Sequence, residues 1–248
     1  QTITTDESWK VLSDTAYLET DPVYFGFAGG VNNRPSIRYD ARLEPDGWQA
    51  VEFDDSAWTT ATEVDRSDYN LYAQLVGEQT EMERETPVDV YEEDGKWYAE
   101  FDKCLSGWPE LKIHDNTAGD EIKLQYWEVQ TGWGNAGYDT YLCKGGEETF
   151  DTPFVRHTSF KVIEITGYEG ELTADDITGI VAYSKTENNG RFESSDERLN
   201  KVFTMSERSG RQNIQQGIIS VDANREQSPW TADSWNIGIG TLYNHQDT

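Results

Sequence analysis

The residues with the clearest chemical potential lie close together near the end of the chain, in the stretch 221–235. This stretch contains three carboxylates, one arginine and two indoles: Asp222, Arg225, Glu226, Trp230, Asp233 and Trp235. Cleavage of a glycosidic bond needs a proton donor for the leaving oxygen, acceptors for the sugar hydroxyls and a flat apolar plate against the ring. The stretch therefore has the side chains of a sugar site. Composition alone leaves an alternative open, a polar loop that enters a helix with both indoles simply buried.

This stretch and three others follow one another in an order that resembles a known enzyme family. Asp222, Arg225, Glu226, Trp230 and Asp233 are spaced as in the loop that opens the catalytic barrel of the α-L-rhamnosidases of glycoside hydrolase family 78. Three upstream stretches resemble, in order, a turn of the accessory sandwich domains, the segment ahead of the barrel, and the linker with the first barrel helix: 54–58, 150–167 and 190–200. The resemblance thus extends along nearly the whole chain.

The resemblance implies a role for each residue of the loop. Glu226 matches the general acid, and a nearby indole and the two aspartates would all favour its protonated form. Asp222 and Asp233 would accept hydrogen bonds from sugar hydroxyls, and Trp230 would lie against the apolar face of a 6-deoxy sugar. Arg225 would lower the pKa of the acid if it faced Glu226, so we expect it to contact Asp222 or the sugar instead.

Two of these assignments have alternatives, and no residue is assigned as the general base. Asp222 is also a candidate helix N-cap, and Trp230 a candidate core residue. Ala223 and Asn224 stand where the commonest form of the motif is longer, which makes the Asp222 assignment the less secure one. The family enzymes invert, and their general base is a glutamate much later in the barrel. No residue here is a candidate for it, so we expect a fragment that needs the remainder of the catalytic domain and is inactive alone.

The charge balance excludes several classes of partner. The 248 residues include 20 Lys and Arg against 47 Asp and Glu, a net charge of −27. Such a surface repels nucleic acids and anionic membranes, so we expect neither as a partner. Two cysteines and three histidines show no metal-ligand spacing, and we expect no metal and no cofactor. Whether Cys104 and Cys143 pair is left open by the sequence.

The termini and hydropathy bear on location. No apolar run approaches the length of a membrane span, and no basic-then-apolar signal region begins the chain. A start at Gln1 is compatible with a mature bacterial protein that is secreted, periplasmic or at the cell surface, which is our expectation.

The pattern of apolar residues predicts a mainly β chain: two β-sandwich, jelly-roll-like domains followed by the first helices of an (α/α)6 barrel. The predicted domains are 1–80, 81–190 and 191–248. In the first, short segments such as 23–27 and 49–53 between Gly, Pro, Asn and Asp turns indicate strands. In the second, four segments place apolar residues at every second position: 97–101, 110–114, 121–128 and 161–165. The (α/α)6 barrel itself is what the resemblance implies.

The third part changes to helical spacing. Ser194 followed by Glu197 predicts a capping box with a helix behind it, and a second helical pattern runs from Trp235 to Leu242. Two functions of different class follow. One is a glycosidase that removes terminal α-L-rhamnose, and the other is a non-catalytic carbohydrate-binding sandwich. The helical part separates them, because a stand-alone binding module has no reason to carry it.

Overall fold

The computed structural model describes residues 3–13, 15–18, 22–24, 33–64, 70, 72–73, 77–151, 158–215, 218–219 and 230–244. Within these ranges the chain is mainly β, and two α-helices follow the strands. The predicted fold class is confirmed at this level. The domain boundaries at 80 and 190 stay a prediction.

The elements are short at the N-terminus and long in the middle of the chain. The strands before residue 80 are β1 (Lys10–Val11), β2 (Pro22–Tyr24), β3 (Asn33–Pro35), β4 (Arg38–Asp40), β5 (Thr59–Thr60) and the start of β6 (Gln79–Glu85). The next are β7 (Asp89–Glu93), β8 (Lys96–Ile113), β9 (Glu121–Gln130), β10 (Trp133–Leu142), β11 (Glu148–Asp151), β12 (Thr158–Thr166) and β13 (Ile177–Ser184). The last are α1 (Glu197–Gln212), β14 (Ile214–Gln215), β15 (Ile218–Ile219) and α2 (Thr231–Asn244).

The 18-residue strand β8 organises the main sheet, which runs β4-β10-β9-β12-β8-β13-β6. The first half of β8 pairs with β12 and β7, whereas its second half pairs with β13 and β11. Side chains from both halves, Phe101 and Leu111 among them, lie in one core cluster. The sheet therefore curls at β8, and its two parts enclose the same core.

Alternation of apolar residues explains why these strands form. In β9, Ile122, Leu124 and Tyr126 are fully buried while the residues between them are not. A period of two places one set of side chains in the core and the other outside. All four alternating segments predicted in the second domain lie in strands, with 97–101 and 110–113 in the single strand β8.

A two-residue turn closes the hairpin between β7 and β8. Glu93 pairs with Lys96, and the connecting Asp94 and Gly95 both have positive φ, 52° and 73°. Two positive φ values are typical of the type I′ turn, whose twist matches that of antiparallel strands. The Asp-Gly pair is thus the local signal that fixes the register of this hairpin.

The prediction of a strand at 49–53 is wrong. The segment from Pro45 to Phe53 is a series of turns, in which the backbone N–H groups of Trp48, Ala50 and Phe53 each bond to the carbonyl three residues earlier. Val51 is 98% exposed, so the alternation there serves no buried face. The wider N-terminal prediction at 23–27 is described only to Tyr24, where β2 ends.

The first helix begins two residues later than the capping box predicts. Asp196 is the N-cap, and its carboxylate accepts a hydrogen bond from the Arg198 N–H. Ser194 is engaged elsewhere, because its N–H donates to the Asn200 side chain and its carbonyl accepts from it. The second predicted helix is confirmed as α2. No helix among the described residues has the length and apolar composition needed to cross a bilayer.

Candidate functional site

Helix α1 is attached to the sandwich by its last two turns. The Arg208 guanidinium donates to the Cys104 carbonyl of β8 at 3.1 Å. The Arg211 guanidinium lies 3.5 Å from a Glu83 carboxylate oxygen of β6 and 5.1 Å from the ring centre of Tyr183 in β13. Contacts to three strands fix both the position and the rotation of this end of the helix.

The last residue of α1 and the residues after it continue the attachment. The Ser106 hydroxyl of β8 donates to the Gln212 carbonyl at 3.3 Å, and the Gln79 amide of β6 donates to the Gln215 side chain at 2.9 Å. The short β14–β15 hairpin follows directly. The chain therefore enters the candidate carboxylate loop from a point that the sandwich holds in place.

The loop ends at α2, where two predicted site residues are described. The Trp230 carbonyl accepts the Ser234 N–H at 2.8 Å, so Trp230 lies immediately before the first turn of α2 and Asp233 lies within that turn. A carboxylate there interacts favourably with the positive end of the helix dipole. Trp230 is 52% exposed and Trp235 is also exposed, so neither indole is a core residue among the described parts of the chain.

The remaining site residues, Asp222, Arg225 and Glu226, lie outside the described residues, as does the part 152–157 of the upstream stretch 150–167. Their roles stay predictions. The structure brings Trp230 and Asp233 together on one helix end.

The far end of α2 is tied back to the segment before α1. The backbone N–H groups of Asn189 and Gly190 both donate to the Asn244 carbonyl, at 2.9 and 3.0 Å. A carbonyl at a helix C-terminus has no partner within the helix, and here the linker supplies two. A Cβ at position 190 would clash with Asn244, so the contact requires a glycine there.

Between α1 and α2 lies a cleft of about 280 Å³. Its lining residues are Ser206, Glu207, Ser209, Gly210, Asn213, Asn236, Ile237, Gly240, Thr241 and Asn244. Trp230 and Asp233 do not line it. Both helices also carry large exposed apolar side chains: Leu199, Val202 and Met205 on α1, and Trp235, Ile239 and Leu242 on α2.

Other catalytic chemistry finds little support in the described residues. Cys104 and Cys143 are both free thiols, and burial raises the pKa of each to about 12. A nucleophilic cysteine needs the opposite shift. Among the residues described, no group of three His, Cys, Asp or Glu side chains is arranged to hold a metal ion.

Sequence reasoning missed the residues that fix the loop's entry point. Arg208, Arg211 and Gln212 look like ordinary polar positions on an amphipathic helix. Their partners Cys104, Glu83 and Ser106 lie more than a hundred residues away in the chain. No local pattern marks such contacts.

The comparisons with known families match two stretches of the chain. The family model described as the alpha-L-rhamnosidase N-terminal domain matches residues 1–82. The model described as the bacterial alpha-L-rhamnosidase concanavalin-like domain matches residues 91–183.

The similarity to curated α-L-rhamnosidases extends over most of this chain. An alpha-L-rhamnosidase of Formosa agariphila is 28% identical over 97% of the chain, and one of Streptomyces avermitilis is 28% identical over 79%. The chain spans only 25% and 20% of the length of these two relatives.

Solved structures give the same result. The alpha-L-rhamnosidase from Dictyoglumus thermophilum is 26% identical, with a TM-score of 0.81 over 98% of this chain and 27% of its own. The Streptomyces avermitilis alpha-L-rhamnosidase complexed with L-rhamnose is 25% identical, with a TM-score of 0.77 over 98% of this chain and 24% of its own. Both alignments therefore reach beyond the sandwich into the helical part.

Proposed function

Because the chain belongs to the α-L-rhamnosidases of glycoside hydrolase family 78, we propose that it contributes the general acid to an enzyme that removes terminal α-L-rhamnose with inversion. The observation that carries the proposal is the extent of the structural likeness, which covers 98% of the chain. That extent includes α1, α2 and the carboxylate loop between them. A carbohydrate-binding sandwich alone would need none of these.

Glu226 is the proposed acid. Departure of a glycosidic oxygen requires a proton, so the carboxyl group must stay protonated near neutral pH. Asp222 and Asp233 would disfavour its ionised form by like-charge repulsion, and an indole would keep water away. Trp230 has half of its surface available, and its place directly before α2 suits a ring that lies against a sugar.

The other half of the reaction is proposed to lie outside this chain. Inversion requires a second carboxylate about 6.5 to 9.5 Å from the first, which holds a water on the opposite face of the sugar. We assign that base to the remainder of an (α/α)6 barrel, of which α1 and α2 are the first helices. The exposed apolar side chains of both helices are the surface that such a remainder would cover.

The test uses the polypeptide that includes the proposed remainder. Glu226→Gln should lower kcat on ordinary rhamnosides by about 10² to 10⁴-fold, the usual contribution of a general acid. The loss should be much smaller on an aryl rhamnoside whose leaving group departs without a proton. Glu171→Gln, which changes an exposed glutamate of the sandwich, is the matched control and should leave both rates unchanged.

Two outcomes would overturn the assignment. One is a Glu226→Gln variant that keeps most of its rate. The other is an equal loss on both substrates, because a residue that only maintains the structure would not distinguish the leaving groups. Residues 1–248 alone should show no turnover, since the proposed base is not among them.

A further inference from the structure

The outer face of the sheet formed by β7, β8, β12, β9 and β10 carries a continuous row of aromatic and hydrogen-bonding side chains. Strand pairing places its members opposite one another in the order Tyr91, Tyr98, Glu164, Gln125 and Tyr138. Residues of the core cluster, or packed against it, flank Tyr98, Glu164 and Gln125 in their strands, and Val90 beside Tyr91 packs against the same core. Because alternate side chains point to opposite faces, the row lies on the side away from the core.

Two tyrosines form one end of the row. The rings of Tyr91 and Tyr98 are stacked, with centroids 5.2 Å apart and an interplanar angle of 18°. Tyr98 is buried beneath its neighbours, whereas Tyr91 is 36% exposed. The inner ring therefore holds the outer one in a fixed orientation, and the outer ring keeps an accessible surface.

A fixed carboxylate occupies the middle of the row. The Lys96 ammonium donates to one oxygen of Glu164 at 2.6 Å, and the Trp127 indole N–H donates to the other at 3.3 Å. Trp127 lies on the same face as the row, two residues beyond Gln125. The carboxylate is thus fixed between an ammonium and an indole N–H, and 12% of its side chain is exposed.

The lysines on this part of the face each have a partner within it. Besides the Lys96–Glu164 pair, Lys161 contacts Glu100 at 3.0 Å, and the Lys123 ammonium lies 4.1 Å from the ring centre of Tyr138. An anionic polymer finds little excess positive charge here and meets a molecule of net charge −27. Stacking rings interleaved with paired polar groups instead match the hydroxyl edges and apolar C–H faces of uncharged sugars.

We propose that this face is a second carbohydrate-binding surface, which holds a neutral oligosaccharide across the strands. The row crosses four strand spacings, roughly 19 Å, so it accommodates several sugar rings. Tyr91 is exposed at one end of the row, and Gln125, Trp127 and Tyr138 are partly exposed along it. None of its residues belongs to the candidate catalytic stretch, so the surface goes beyond the proposed function and acts independently of cleavage.

The experiment is a titration of residues 1–248 with xylohexaose, cellohexaose, mannohexaose and a neutral rhamnose-branched hexasaccharide. Hexagalacturonate serves as the charged comparison. Binding is measured by calorimetry and by shifts of the Trp127 indole N–H resonance. Saturable binding of at least one neutral probe, tighter than that of hexagalacturonate, supports the proposal. Absence of saturable binding to every neutral probe would overturn it, as would a preference for hexagalacturonate.

Two variants locate the binding. Tyr91→Ala and Trp127→Ala should each weaken it at least tenfold, while Tyr72→Ala should not, because Tyr72 is 84% exposed and outside the row. Circular dichroism confirms that each variant folds. If Trp127→Ala is destabilised, the location is tested by Tyr91→Ala alone, because Tyr91 is exposed. An unchanged oligosaccharide affinity in Tyr91→Ala would refute the location.

The same variants separate this proposal from the catalytic one. Tyr91→Ala in the longer polypeptide should hydrolyse a small aryl rhamnoside at the unchanged rate, and Glu226→Gln should keep the unchanged oligosaccharide affinity. The two proposals are therefore tested by different measurements, the hydrolysis rate for the catalytic one and the oligosaccharide affinity for this one.

Discussion

At the scale of single residues, His114 lies between two carboxylates at the end of β8. Its Nδ1 atom is 2.6 Å from a Glu147 oxygen, and its Nε2 atom is 3.0 Å from an Asp176 oxygen. The hydrogen bond to Asp176, followed by that to Glu147, raises the pKa of the imidazole above its usual value. The ring therefore stays charged to a higher pH in the folded chain than in the unfolded chain.

This pKa shift predicts a pH-dependent contribution to stability. A group whose folded pKa is raised stabilises most below its unfolded pKa, about 6.5 for histidine, and loses that contribution as the pH rises through the folded pKa. His114→Gln should therefore lower Tm more at pH 5.5 than at pH 9. Thermal unfolding at the two pH values measures the difference.

A second variant checks the cause of the shift. Asp176→Asn should reduce the same pH dependence, because Asp176 is the larger source of the raised pKa. A Tm difference between the His114→Gln variant and the unchanged chain that is the same at both pH values would contradict the prediction. The effect should be modest, since Glu147 is largely exposed and such pairs are screened by solvent.

The sequence predicts the residue types of the candidate site but not their exposure. Three carboxylates and two indoles within fifteen positions indicate a sugar site before any coordinates. That Trp230 is open to solvent depends on how α2 packs against α1, and on how α1 packs against the sandwich. Those contacts join residues far apart in the chain, which spacing alone does not reveal.

At the scale of elements, β8 passes from one part of the sheet to the other at Gly107. There the backbone lies so close to β13 that a Cβ would clash with the carbonyl of Ile180 and approach the N–H of Ala182. Gly179 of β13 pairs with Pro109 of β8 and faces the core, where a Cβ would meet Leu105 and Phe101. The crossing therefore depends on glycine for close approach of two strands.

Gly107→Ala should lower the free energy of unfolding by at least about 2 kcal/mol, because the extra methyl group forces the strands apart. Gly240→Ala is the matched control. It lies within α2 with no atom near the position of a Cβ, and alanine should stabilise the helix there by about 0.5 to 1 kcal/mol. Urea denaturation measures both. Equal effects of the two substitutions would show that strand approach at Gly107 is not limiting.

The elements that could be predicted are those with a regular period over many residues. Long alternation identifies β9 and β12 because a buried face requires it. The turns at 49–53 were misassigned because five residues of alternation occur without any buried face. The start of α1 was misplaced because Ser194 and Asp196 are both good caps, and only the contact of Ser194 with Asn200 decides between them.

At the scale of the whole molecule, the dominant feature is the net charge of −27. Like charges repel more strongly in the compact state than in the extended one, so screening should favour folding. The Debye length falls from about 10 Å at 0.1 M salt to about 3 Å at 1 M.

We therefore expect Tm to rise with NaCl, steeply up to a few tenths molar and little beyond. A variant with the exposed residues Glu52, Asp55 and Glu63 changed to amides should show a smaller rise. Calorimetry over a salt series measures both. A rise that stays linear to high salt would instead indicate general exclusion of salt from the surface.

Location and the larger assembly are whole-molecule properties that neither sequence pattern nor fold determines here. Secretion stays a prediction, as does the barrel beyond α2. The sandwich was predictable in part, because β9, β12 and the two ends of β8 carry a local signal of alternation. The attachment of α1 to that sandwich was not, because it depends on arginines whose partners come from β6, β8 and β13.

The hydrogen bonds from the 189–190 linker to the Asn244 carbonyl bear on the design of chimaeras between members of this family. The last turns of α1 contact β6, β8 and β13, and the C-terminal end of α2 contacts the 189–190 linker, so the pair of helices is held at two places. A chimaera that takes its sandwich from one rhamnosidase and its helices from another would replace only one of the two partners in each of these contacts. Functional crossovers should therefore fall after residue 244 and not at the apparent boundary near 190.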